Sequence, residues 1–384
     1  MRSCILFLIS ILFFAPLNRT YGQEKVETAK RGKYRSIMLR GHSGMHLYTG
    51  SDLDSKLDSG YGALEFRYGW QSQDADIWST YGYPQYGIGA YTGFIGDPEI
   101  FGNPNAVFGF IDFPVTPMHK RDVLSVSPAL GLTYHLNPYD AENNPLNIAI
   151  GARMAVYFSV GFTWTYKWTR EMDLVTGIDF THFSNGRSNT PNYGLNMFGI
   201  HLGMRYNYNA DQNIVDPGFE PETLVSPRFK STVRKGLYKP EEQHLINTYF
   251  AMGVVQNDFE AGTDTHWGTL SLLLEYQHKF NNMHSATIGF DFFNDNSLKA
   301  INEDPDDTSI YAVHAGYDFM FWRLTILVQA GIHLTDSYDK NNVFFRPAAR
   351  YDINELMYAQ IGLKANGIAA DWIEFGIGFR PFRW

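Results

Sequence analysis

The stretch Arg323-Leu-Thr-Ile-Leu-Val-Gln-Ala-Gly-Ile332 decides the fold class. Leu324, Ile326, Val328, Ala330 and Ile332 alternate with Arg323, Thr325, Gln329 and Gly331. A period of two gives an extended strand one apolar and one polar face. The same alternation recurs outward from it in both directions. Upstream, Leu270, Leu272, Leu274 and Tyr276 interleave with Ser271, Leu273, Glu275 and Gln277, and Ala286, Ile288, Phe290 and Phe292 with Thr287, Gly289 and Asp291. Downstream, Ile373, Phe375, Ile377 and Phe379 interleave with Glu374, Gly376, Gly378 and Arg380.

Such strands suit a half-buried soluble sheet as well as a transmembrane barrel, in which the apolar face meets lipid and the polar face lines the lumen. The chain ends favour the barrel. Arg2 and the apolar run Cys4 to Leu17 match a secretory signal, too short for a spanning helix, with cleavage expected near Gly22 or Gln23. At the other end Phe382-Arg383-Trp384 follows directly on a strand. A terminal aromatic there resembles the assembly signal of outer-membrane barrels, although the alternation slips phase near Pro381. The sole cysteine, Cys4, lies in the expected signal, so a mature chain has no disulfide and relies on a hydrogen-bonded sheet or a large core.

After the signal no apolar run approaches about 18 residues, which excludes a transmembrane helix. Aromatic residues make up 16% of the chain and glycine is abundant at 35, a balance that fits strands with one wet and one greasy face. The net charge of -9 argues against nucleic acid as a partner. The expected fold is all-β, an antiparallel transmembrane β-barrel with an even strand number of about 14–16. Short connections near Asn281-Asn282, Phe321 and Asn354-Glu355 alternate with longer ones at 258–267, 296–308 and 335–342, the asymmetry of periplasmic turns and outer loops. Roughly eight strands are expected in 34–209 and about eight in 246–382. Between them 210–245, with Pro217, Pro221, Pro227 and Pro240 and little periodicity, reads as an insertion on the periplasmic side.

The chemistry-bearing segment runs from Gly177 to Gly199. Leu174, Thr176, Ile178, Phe180, His182 and Ser184 share one strand face, while Asp173, Gly177, Asp179 and Thr181 take the other. After the Asn- and Pro-rich connection 185–194, Asn196, Phe198, Ile200, Leu202, Met204 and Tyr206 form the apolar face of the next strand. If the two apolar faces coincide, Asn196 sits beside His182. A hydroxyl, an imidazole and a carboxamide then converge on a lipid-facing wall, where polar groups are costly without a purpose. The set suits nucleophilic catalysis, with His182 activating Ser184, Asn196 fixing the imidazole, and Asn185 and loop N–H groups facing an oxyanion. The spacing alone also fits an interfacial polar pair that caps the apolar belt.

His182-Phe-Ser184-Asn185-Gly186, followed by Pro191-Asn192-Tyr-Gly194-Leu-Asn196, resembles the signature of the outer-membrane lipid A 3-O-deacylases. The resemblance is specific over about residues 172–206. It implies a cofactor-free serine esterase of the bacterial outer membrane that removes an ester-linked acyl chain from lipid A at the outside of a barrel. Ser184 is then the nucleophile and His182 the base, with Asn185 and the backbone N–H near Gly186 or Arg187 forming the oxyanion hole. The family's third member is often an acid, and Asn196 stands in its place. Asp179 points to the opposite face and does not replace it. The chain is also much longer than an eight-stranded member needs, which requires a larger barrel or a second set of strands. With Trp384 in the periplasm, hairpin counting puts loop 185–194 outside, near the leaflet that holds lipid A.

The other candidates are weaker. Adjacent His42 and Ser43 face opposite ways and read as barrel polar positions. Glu303-Asp-Pro-Asp-Asp307 reads as a solvated acidic loop, and no histidine or carboxylate cluster has metal-ligand spacing. The alternatives to the deacylase are a non-enzymatic outer-membrane channel or structural barrel, and a phospholipase using the same dyad.

Overall fold

The computed structural model describes residues 34–47, 53, 57, 60–71, 80–118, 120–169, 171–208, 244–302, 307–335, 341–367 and 369–384. The expected signal segment, residues 210–243 of the expected insertion and residues 303–306 of the acidic loop lie outside the described residues.

Eight strands precede the insertion: β1 (Tyr34–His46), β2 (Tyr61–Gln71), β3 (Gln85–Ile95), β4 (Gly102–Pro114), β5 (Asp122–Leu136), β6 (Val156–Lys167), β7 (Met172–Ser184) and β8 (Leu195–Tyr208). Eight follow it: β9 (His244–Val255), β10 (Trp267–Lys279), β11 (His284–Asp295), β12 (Ser309–Phe321), β13 (Leu324–His333), β14 (Val343–Asp352), β15 (Met357–Asn366) and β16 (Ala369–Arg383). Neighbours pair antiparallel throughout. The strand total falls in the expected range, but the strands form two cylinders instead of one. β8 pairs back onto β1, and β16 onto β9. Closure removes every open edge, and an eight-stranded ring is narrow enough for side chains to fill. No helix among the described residues is long and apolar enough to cross a membrane.

The alternation read from the sequence maps onto inside and outside. Leu39, Phe66, Val107, Phe162, Ile200 and Leu202 are exposed on the first barrel, and Met252, Leu274, Ile288, Val328 and Phe375 on the second. Arg40, Glu65, Arg67, Asp179 and His201 are buried in the first lumen, and Glu275, Asp291, His314, Arg346 and Arg350 in the second. Exposed apolar side chains outside and charged ones inside are the arrangement of a membrane barrel, not of a water-soluble one.

The lumens are stitched by ion pairs. Arg40 Nη2 lies 2.6 Å from Glu65 Oε1 and Arg67 Nη1 lies 3.0 Å from Asp112 Oδ1. In the second barrel Arg346 reaches Asp291 Oδ1 at 2.8 Å and Glu374 Oε1 at 3.1 Å. Removing one partner from such a set leaves the other charges buried and unpaired, at a cost of about 3–5 kcal/mol. Arg346→Ala is therefore expected to lower the stability of the refolded protein by about that amount. Urea titration in detergent, followed by the mobility of the unheated band, checks this; an unchanged midpoint contradicts it.

At one end of the first barrel the polar lumen gives way to apolar packing. Tyr91, Phe108, Tyr157, Phe183, Leu195 and Met197 form one buried cluster. Tyr91 and Phe183 rings lie 5.9 Å apart, and Tyr157 and Phe183 rings 5.5 Å apart. This plug contains Phe183, the inward neighbour of both His182 and Ser184, and so anchors the end of β7 on which they sit.

Candidate active site

The register of β7 on β8 places His182 opposite Asn196, with Phe180 opposite Phe198 and Ile178 opposite Ile200. Ile178, Phe198 and Ile200 are exposed, so this is the outer wall of the first barrel. Imidazole and carboxamide meet there: His182 Nδ1 is 2.7 Å from Asn196 Oδ1. An amide oxygen only accepts, so the Nδ1–H donates to it and the Nε2 lone pair is left free to take a proton. Phe180 stacks beside the imidazole at 6.3 Å between ring centres. Gly194, at a φ of +76°, passes so close that a Cβ there would sit 2.7 Å from His182 Cε1. Glycine is required at that point both for its backbone conformation and for its lack of a side chain.

Ser184 ends β7 and is buried beneath the connection that follows. Its hydroxyl meets Asn192, whose Nδ2 donates to Oγ at 2.8 Å and whose Oδ1 lies 3.2 Å away. The Gly186 N–H also donates to Oγ, at 3.1 Å. His182 and Ser184 thus share a wall but form no hydrogen bond to each other among the described residues. The sequence expectation brought Asn196 to His182 and the structure does so. Asn192, quoted in the motif without a role, is the side chain that holds the serine. Its signal was its place in the Asn-rich loop, and only the fold of that loop reveals the target.

The remaining expected residues occupy the turn. Asn185 is buried; its Oδ1 accepts the Arg187 N–H at 3.0 Å, its own N–H donates to Asn192 Oδ1 at 3.1 Å, and its Nδ2 has no partner among the described residues. A buried donor left unmatched beside a serine is available to an incoming oxygen. Gly186 and Arg187 both take left-handed backbone conformations, at φ of 62° and 61°. The Arg187 N–H is committed to Asn185, and its guanidinium turns towards Asp371 and Asp258, at 3.5 and 3.7 Å.

Inside the same wall Asp179 faces the lumen, as expected, where its Oδ2 lies 3.1 Å from His42 Nδ1 and 2.8 Å from His201 Nδ1. These three come from β7, β1 and β8, so no linear spacing announced them. Among the described residues, they are the group whose donor atoms lie close enough to one another to hold a metal ion. Both imidazoles donate to the one carboxylate oxygen from neighbouring strands of the same wall, while His42 Nε2 and Asp179 Oδ1 have no hydrogen-bond partner among the described residues.

The Nδ1–Oδ1 contact gives a direct test. A hydrogen bond to a group that becomes charged is worth about 1.5–3 kcal/mol, or about 10- to 100-fold in rate. Asn196→Leu is expected to lower turnover of an ester substrate by that factor. Asn196→Asp keeps the acceptor and adds a charge that stabilises imidazolium, so its rate is expected at or above that of the parent. Equal rates for the leucine variant and the parent contradict a role for the pair.

Comparison with known proteins gives two family matches. A model described as lipid A 3-O-deacylase (PagL) matches residues 60–205, and one described as acyloxyacyl hydrolase, C-terminal domain, matches residues 244–384. No curated protein matches the sequence. Similar solved structures include a de novo designed transmembrane β-barrel, 16% identical over 38% of this chain and 98% of its own, with a TM-score of 0.25. A Rh. blastica porin mutant is 10% identical over 90% and 99%, with a TM-score of 0.19. The Acinetobacter baumannii outer membrane protein Omp33 is 8% identical over 92% and 99%, with a TM-score of 0.16.

Proposed function

Because this chain belongs to the lipid A 3-O-deacylase family, with its two matches covering residues 60–205 and 244–384, we propose that it is a serine esterase that hydrolyses an ester-linked acyl chain of lipid A. Family membership puts the protein in the bacterial outer membrane and its chemistry among hydrolases of lipid A acyl esters. The observation that carries the serine mechanism is the His182–Asn196 contact at 2.7 Å on the lipid-facing wall, two residues from Ser184. A hydrogen-bonded imidazole facing hydrocarbon has little structural justification and a clear chemical one.

The steps follow from the donor and acceptor assignments. Rotation about the Ser184 Cα–Cβ bond carries Oγ from Asn192 towards His182. Oγ attacks the ester carbonyl carbon as His182 Nε2 takes its proton. The carbonyl oxygen becomes an oxyanion that Asn185 Nδ2 and the Gly186 N–H stabilise. Collapse breaks the bond to the sugar oxygen, which leaves with the proton from Nε2, and the acyl group stays on Ser184. Water then attacks that ester, again giving its proton to Nε2. The fatty acid departs, Oγ recovers a proton, and the enzyme returns to its starting state with no cofactor consumed. The substrate chain lies along the exposed belt of Phe198, Ile200 and Leu202, which already faces lipid.

Incubation of the purified protein with lipid A, followed by mass spectrometry, tests the reading. Expected are a lipid A lighter by one acyl group and an equal amount of free fatty acid. Unchanged lipid A with hydrolysed glycerophospholipid, offered in the same vesicles, contradicts the substrate assignment and favours a phospholipase.

A further inference from the structure

The second barrel carries no serine–histidine pair at the end of its seventh strand, where β15 finishes Lys364-Ala-Asn366. Yet it touches the serine loop of the first barrel at four points between residues 186 and 190. A Cβ on Gly186 would overlap the Ile373 side chain of β16. The Arg187 guanidinium faces Asp371, which Lys364 holds at 2.7 Å. Asn189 Nδ2 lies 3.3 Å from His266 Nε2.

The fourth point is the most developed. Gln256 follows β9 and is buried, as are Thr190 and Asn257. Its Oε1 accepts the Thr190 N–H at 2.7 Å and the Thr190 hydroxyl at 3.2 Å, and its own N–H donates to the Arg187 carbonyl at 3.0 Å. The Thr190 hydroxyl also reaches the Asn257 carbonyl at 3.0 Å. The far end of the same carboxamide is held in turn, since Gln256 Nε2 lies within 3.1 Å of the Glu260, Thr263 and Thr265 carbonyls. One glutamine thereby ties the loop of one cylinder to the loop of the other.

The tied segment lies between the groups that contact Ser184: Gly186 comes before it and Asn192 after it. We propose that Gln256 is a positioning residue of the esterase site, through which the second barrel braces the 186–190 loop so that the Gly186 N–H, Asn185 and Asn192 stay in place around Ser184. This inference rests on the serine-esterase reading and assigns the second barrel a task in it. Shape matters more than affinity here, because a loop free to shift by an ångström displaces oxyanion donors without altering the lipid-facing belt that binds the acyl chain.

The test uses the full-length protein with Gln256→Met, which keeps the length and removes both polar atoms, and Thr190→Val, which removes the hydroxyl alone. Thr190→Ser is the conservative rescue. Expected for Gln256→Met are a kcat lower by about 10- to 50-fold, a KM within about twofold of the parent, and faster hydrogen exchange of the peptide spanning 185–192. Thr190→Val is expected to fall in the same sense, with Thr190→Ser within about threefold of the parent. A Gln256→Met or Thr190→Val protein with parental kcat, or with unchanged exchange in that peptide, overturns the proposal. So does a rise in KM at constant kcat, which assigns the loop to binding. Ser184→Ala in the same assay separates the two levels. If it retains parental activity the esterase reading fails by itself, whereas an inactive Ser184→Ala beside a fully active Gln256→Met removes only the brace.

Discussion

Replacing Ser184 with alanine is expected to reduce release of fatty acid from lipid A by at least about 1000-fold while leaving a folded barrel. The nucleophile is a single oxygen, and no other hydroxyl of the loop is held by both a carboxamide and a backbone N–H among the described residues. The substitution also leaves Asn192 Nδ2 and the Gly186 N–H without their acceptor. At about 1 kcal/mol for each such bond, the loss is small against a membrane barrel closed by continuous strand pairing. The unheated band on a gel therefore keeps its compact mobility, and inactivity is attributable to the missing oxygen. Binding of lipid A to vesicles containing the variant is expected to persist, because the exposed apolar wall is unaltered.

His182→Ala is expected to give the next largest loss, about 100- to 10,000-fold, the range supplied by a positioned base. The change should appear in kcat more than in KM, since the imidazole is used as the tetrahedral intermediate forms. The pH profile separates a base from a packing residue. In the parent the rate falls on acidification, because a protonated imidazole has no lone pair for the serine proton. The residual rate of His182→Ala is expected to lack that acid limb and to rise with hydroxide. A variant that loses activity yet keeps the same acid limb points to another titrating group. The ring also fills the space above Gly194, so a decline in stability of about 1 kcal/mol is expected and does not account for the rate.

Much of this was legible in the sequence because strand periodicity fixes facing. The two-residue rhythm of β7 and β8 was enough to put His182 and Asn196 on the apolar wall and Asp179 on the other side. Their cross-strand pairing followed from antiparallel neighbours with matching faces. Periodicity says nothing about which strand closes the ring. A sixteen-strand cylinder and two of eight have the same alternation, and the choice is made by the hydrogen bonds of β8 to β1 and of β16 to β9. Contacts between loops were equally hidden. Asn192 reaches Ser184 through the path of an irregular segment, and Thr190 meets Gln256 across 66 positions of sequence. Neither leaves a repeat, a spacing or a charge pattern. The lumen trio of His42, Asp179 and His201 was illegible for a related reason, since only closure of the ring by β1 on β8 sets His42 opposite His201, one strand from Asp179.

The most direct measurement of whether Ser184 does the chemistry is covalent trapping. A lipophilic fluorophosphonate reacts with a serine only where a neighbouring base activates it. Peptide mass spectrometry of the treated protein in detergent is predicted to place one adduct on the peptide containing Ser184, with lipid A deacylation lost in parallel. Deacylation that continues unchanged with no adduct, or with the adduct on a different serine, would contradict an active site built from Ser184 and His182.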